Sequence, residues 1–170
     1  MQMNNLKDLY IHELHDLYSA ENQIAEALPK MVEATKSQRL KNAFSRHLEV
    51  TRQQKKRLEQ IFSQLGEEPS ASKCEGIQGI LKEGESLIKK EKSFFRGDID
   101  NDVLDAALIA SAQRVEHYEI SAYGTARTYA DRLGFPEQAA LLQHTLNEES
   151  ETDRELTQLA ESHINIEALK

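Results

Sequence analysis

The sequence predicts an all-α protein: a four-helix bundle with an additional helical segment in the long crossover between helices two and three. Three observations predict it. Four long stretches carry apolar residues at alternating steps of three and four, which keeps one helix face toward a core. The same stretches are rich in Ala, Leu, Glu, Gln and Lys, all good helix formers, while the chain holds no Trp, 3 Pro and 7 Gly. The segment from Gly66 to Asp100 is far longer than a helix hairpin needs.

The first helix is expected from Asn4 to Lys36, with Pro29 inside it as an expected kink, because proline removes a ladder bond. The second is expected from Ser37 to Leu65 and stops at Gly66, with Pro69 beyond. The crossover segment, Lys73 to Phe95, has weaker, glycine-interrupted periodicity. Either Asp100 or Asn101 can cap the next helix, which spans residues 100–133 and stops at Gly134. Pro136 restarts the chain into the last helix, which runs to Ile164, and the tail from Asn165 to Lys170 is expected to fray. Short turns make helices one and two antiparallel neighbours, and likewise the last two. One crossover joining two such hairpins is the ferritin-like connectivity. A length of 170 residues suits a single domain with one core.

Composition narrows the function. The net charge is −8, from 21 basic and 29 acidic residues, which disfavours nucleic acid and anionic membrane as partners. The basic run Arg52, Lys55, Lys56 and Arg57 reads as a solvated helix face. No apolar run approaches the roughly 20 residues that span a bilayer. The N-terminus lacks the apolar core of a signal peptide. With Cys74 the single cysteine, no disulfide framework is possible, and the thiol reads as structural. A cytoplasmic location is expected.

Each stripe is apolar at its ends and polar in the middle. Helix one runs Leu14, Leu17, Glu21, Ile24, Leu28; helix two runs Phe44, His47, Thr51, Gln54, Leu58. The third long helix runs Leu108, Ala112, Val115, Glu119, Ala122, with Glu116 beside it, and the last runs Leu142, Leu146, Glu149, Asp153, Leu156. Packed as two hairpins, these interruptions fall at one height. The expected result is a central layer with carboxylates from three helices and an imidazole from the fourth. Buried carboxylates must be protonated, paired or bound to a cation. Carboxylate oxygens with an imidazole nitrogen form a ligand set for iron, manganese or zinc. The candidate metal ligands are Glu21, His47, Glu116, Glu119 and Glu149.

Ferritin-like carboxylate proteins build a dinuclear site from a Glu on each of two helices and Glu-x-x-His on each of the other two. Here the match is partial. Phe44 stands three residues before His47, and no His lies three beyond Glu149. His117 falls off the face that Glu116 and Glu119 share. A faint repeat preserves register: Glu21 and Glu119 lie 98 residues apart, as do Thr51 and Glu149, and Leu58 and Leu156. Tyr118 and Tyr123 read as packing residues with a polar end.

The stretches Leu17-Tyr18-Ser19-Ala20-Glu21-Asn22-Gln23, His47-Leu48-Glu49-Val50-Thr51 and Leu146-Asn147-Glu148-Glu149 resemble the YciE/YciF-like family, as does Asp105 to Ile120, which ends Val-Glu-His-Tyr-Glu-Ile. The resemblance covers nearly the whole chain. It implies a ferritin-like fold related to rubrerythrin, homodimers and stress-associated bacterial expression, and it supplies no enzymatic activity. The family often carries Glu at the position of Val50, which implies a weaker site here.

Two functions compete on these grounds. The first is a metal-binding protein with a stress-related role, holding iron or another divalent transition metal as a mono- or dinuclear centre and needing no organic cofactor. The second is a metal-free structural or interaction protein whose polar layer is a hydrogen-bonded network. Nothing in the sequence identifies an organic substrate or a protein partner.

Overall fold

In the first helix, α1 (Leu6–Ala34), the Asn5 side chain accepts from the Asp8 amide at 2.9 Å and so fixes the start. Pro29 lies inside α1, which continues through it. The second helix, α2 (Gln38–Leu65), ends on Gly66 at φ 69°, and α4 (Asn101–Leu133) ends on Gly134 at φ 77°. A left-handed residue closes each helix and returns its amide to the last turn, a conformation glycine adopts without a Cβ penalty. Asp100 caps α4, accepting from Asp102 N at 2.8 Å. Pro136 occupies the first turn of α5 (Pro136–Leu159), where its missing N–H costs nothing.

The computed structural model describes residues 3–70, 73–91 and 99–170, and no strand occurs among them. The crossover segment forms α3 (Glu75–Glu91); its expected continuation to Phe95 lies outside the described residues. Beyond α5 the chain makes one π-helical turn, Ala160–Ile164, and then the short α6 (Asn165–Glu167). Ile164 is buried in the core, and Lys170 Nζ reaches Asp102 Oδ2 at 3.3 Å.

The bundle is all-α, with α1 paired to α2 and α4 to α5 as two hairpins, and with α3 lying against α1 and α4. Cross-helix contacts fix the directions. Arg46 meets Glu155 and Gln54 meets Glu149, so α2 and α5 are antiparallel. Lys36 meets Asp102 and Asp16 meets Tyr118, so α1 and α4 are antiparallel too. It follows that α2 and α4 run in the same direction, as one long crossover demands.

Two apolar clusters fill the interior. One contains Leu28, Leu40, Phe44, Leu104, Leu108 and Leu156; the other contains Tyr10, Leu14, Leu58, Ile61, Phe62 and Leu142. Between them lies a buried polar layer: Glu21, His47, Thr51, Gln54, Glu116, Glu119 and Glu149. The stripes read from sequence thus place their interruptions at a common height.

A candidate metal centre in the buried layer

The layer forms because a helix repeats its inward face every three or four residues. On α2 that spacing turns His47, Thr51 and Gln54 inward, and on α4 it turns Glu116 and Glu119 inward; all five are buried. Glu21 on α1 and Glu149 on α5 are fully buried. Val50 is only half-buried.

Of the five residues singled out from sequence, four converge. His47, Glu116, Glu119 and Glu149 each offer one ligand atom, and all four atoms lie within 4.8 Å of one another. Around a single tetrahedral ion with bonds of about 2.0–2.2 Å, ligand atoms stand roughly 3.4 Å apart. Side-chain movements of about an ångström would close this set on one ion. Glu21 does not join the four. Its Oε1 accepts the hydroxyl hydrogen of Tyr123, and its Oε2 is buried without a partner.

The electrostatics show how costly the layer is. Burial, then the neighbouring Glu149 charge, push Glu21, Glu116 and Glu119 well above the usual carboxylate range. Burial raises Glu149 to about 7 and lowers His47 to about 4. Among the described residues, both nitrogens of His47, both oxygens of Glu116 and Glu119, and the Oε2 atoms of Glu21 and Glu149 have no hydrogen-bond partner. His47 Nδ1 stands 3.5 Å from Glu116 Oε1. A native interior does not leave this many polar atoms unsatisfied. A divalent cation fits the donor set, because it would meet the lone pairs and offset the like charges together.

The layer has an outer edge on the α2–α5 seam. Gln54 Nε2 donates to Glu149 Oε1 and, at 3.2 Å, to Glu148 Oε2. Arg57 grips Glu148 with two nitrogens, at 2.6 and 2.7 Å, and reaches Thr145 Oγ1 at 3.1 Å. Arg57 is thus not part of a solvated face, as its neighbours in the basic run suggested. A fixed counter-charge on α5 draws it in. Asp153 also departs from expectation. It sits at the α4–α5 seam, bonded by Gln113 at 3.0 Å and facing His117 Nε2 at 3.4 Å, rather than in the layer.

Gln54, Arg57 and Tyr123 were the residues whose part in the site the sequence did not disclose. Gln54 was visible as a polar member of the stripe, but its partner on α5 was not. Tyr118 lies outside the layer. Its hydroxyl donates to Asp16 at 3.1 Å and meets the Cys74 thiol at 3.0 Å, which leaves Cys74 a buried thiol.

A two-hairpin helical bundle with a single crossover and a buried carboxylate–imidazole layer defines a ferritin-like protein. The chain belongs to the family described as Domain of unknown function (DUF892), which matches residues 5–169. It is 42% identical to Protein YciF of Escherichia coli K12 over 169 residues, 99% of this chain and 98% of that one. The crystal structure of the E. coli stress protein YciF matches with a TM-score of 0.88 at 41% identity, covering 96% of this chain and 99% of the other. YcfI of Rhodopseudomonas palustris, described as a proposed structural protein, matches at 0.84 and 40% identity, over 92% and 95% of the two chains. No described helix is long and apolar enough to cross a membrane.

Proposed function

We propose that this is a stress-related bacterial protein of the cytoplasm that binds a divalent transition metal, iron, manganese or zinc, in the core of its bundle. His47 supplies a nitrogen, and Glu116, Glu119 and Glu149 supply oxygens. The observation that carries this reading is the set of unpartnered buried donors converging on one point. The description of the E. coli relative as a stress protein supports the physiological part. The family resemblance supports a homodimer, which sedimentation velocity tests directly.

A metal-free structural role is the second reading. It is favoured by the hydrogen bonds that Tyr123 and Gln54 already make to Glu21 and Glu149, and by the structural role proposed for the R. palustris relative.

Thermal melting of chelator-treated protein separates the two. Under the metal reading, iron(II), manganese(II) or zinc(II) raises the melting temperature by mass action, about 2.7 kcal/mol of added stability at a hundredfold excess over Kd. Glu119→Gln weakens the effect. No shift in wild type up to millimolar metal overturns the metal reading, and an equal shift in Glu119→Gln places the binding elsewhere on this acidic surface.

A further inference from the structure

We infer that the buried centre is built for one metal ion, because Gln54, braced by Arg57, fills the place of a second. The inference rests on the metal reading above.

Two-metal carboxylate bundles need six ligands in register: a Glu from each of two helices and Glu-x-x-His from each of the others. Glu21 on α1 and Glu119 on α4 hold the single positions, 98 residues apart, and the same interval pairs Thr51 on α2 with Glu149 on α5. This register, rather than the one that ends at His47, puts Thr51 and Gln54 in the Glu-x-x-His frame of α2, and Glu149 and Thr152 in that of α5. Both histidine positions are lost and so is one glutamate. Thr152 is not turned to the layer; its hydroxyl donates to the Glu148 carbonyl at 3.0 Å.

What replaces them is a set of protein donors. The Gln54 amide is buried and donates to Glu149 Oε1, and Tyr123 donates to Glu21 Oε1. A second ion beside Glu21 and Glu149 would compete with these donors for two of the four oxygens and find only the Oε2 atoms free. Gln54 cannot easily swing away, because its amide also bonds Glu148, which Arg57 holds in a two-pronged ion pair. Arg57, paired with Glu148 at the outer edge, thus holds the brace in place.

The other half has gained ligands. His47 lies four residues before Thr51 and Glu116 three before Glu119, one turn earlier on two helices that run in the same direction. Parallel helices shift together, so the two new donors meet, His47 Nδ1 and Glu116 Oε1 standing 3.5 Å apart. With Glu119 and Glu149 they complete a set for one ion.

The test is stoichiometry. Chelator-stripped protein is dialysed against manganese(II), the metal per chain is measured, and the bound ion is examined by electron paramagnetic resonance. One ion per chain with the spectrum of an isolated manganese(II) is expected. Glu116→Gln should lose it. Thr51→Glu combined with Gln54→His should rise to two ions with an exchange-coupled spectrum. Two coupled ions in wild type would overturn the inference and leave the metal reading intact. No ion bound in wild type would overturn the metal reading itself. Should Glu116→Gln retain the ion, the assigned ligand set is wrong. If the double variant folds by circular dichroism but still binds one ion, Gln54 is not what excludes the second. Gln54→His alone covers the case in which the double variant fails to fold: a second ion there supports the block at Gln54, and one ion or none overturns it.

Discussion

Gln54 and Glu149 hydrogen-bond across the α2–α5 seam from positions 95 residues apart in the chain. That bond ties the polar layer to the side of the bundle. It satisfies one of the two oxygens of the carboxylate that raises the pKa of Glu21, Glu116 and Glu119. The stability of the fold and the chemistry of the layer are therefore coupled, and pH exposes the coupling.

Metal-free protein should lose stability as pH rises from about 6.5 to 8. The four layer glutamates have folded pKa values above their ordinary 4.5, Glu149 at about 7. The folded state then holds protons that the unfolded state has released, so stability is present below 4.5 and lost as pH rises through the folded values. His47 acts in reverse. Its pKa is lowered to about 4, so its contribution is present above 6.5 and lost as pH falls toward 4. His47 therefore opposes the carboxylates only at the lower end of this window, and each proton difference is worth about 1.4 kcal/mol per pH unit. Urea melts at pH 6.5, 7.25 and 8 measure this. A flat profile would mean that the layer ionises at no cost to the fold.

Leu58→Ala and Leu156→Ala should each cost about 2–5 kcal/mol, the range for large-to-small changes in a packed core. Both leucines are buried, at 1% and 2% exposure, on opposite sides of the polar layer. Sharing no cluster, they should add in the double variant to within about 0.5 kcal/mol. Denaturant titrations of the two singles and the double check both statements.

Two glycines of α3 should respond with opposite signs. A Cβ on Gly76 would lie 2.8 Å from Tyr118 Cε2, and the ring is held by its bonds to Asp16 and Cys74. Gly76→Ala should therefore destabilise by about 1–3 kcal/mol, as overpacking does. At exposed Gly79 nothing lies within 4 Å of the added carbon, and Gly79→Ala should stabilise by about 0.5–1 kcal/mol through helix propensity. Thermal melts of the two variants would contradict this account if their shifts had the same sign.

Asp105→Ala should cost about 1 kcal/mol, the loss of hydrogen bonds from two part-buried amides to a charged acceptor. Asp105 on α4 accepts from the amides of Lys36 and Ser37, at 3.0 and 2.7 Å, where α2 begins. The Ser37 side chain makes no cap there, so the bonds from Asp105 anchor the two residues that lead into α2. Hydrogen exchange at the first turn of α2 should speed up in the variant and remain unchanged in the last turn.

The sequence by itself determined the helices, their pairing and the height of the polar layer. Helical period is a local property: it sets the angle each side chain makes about its own axis, so Glu21, His47, Glu116, Glu119 and Glu149 were legible as inward residues and all are buried. Glycine stops at Gly66 and Gly134 were legible for the same reason, since φ is fixed within a turn. Which inward residues meet is not local. It depends on the translation of one helix along another to within about an ångström, because hydrogen bonds and metal ligation tolerate little more than that. That offset is set by contacts from many residues at once, such as the seat of Gly76 against Tyr118. Only the tertiary structure therefore decided that Glu21 stands outside the converging set and bonds Tyr123, that Gln54 takes one oxygen of Glu149, that Arg57 leaves solvent for Glu148, and that Asp153 stays at the seam.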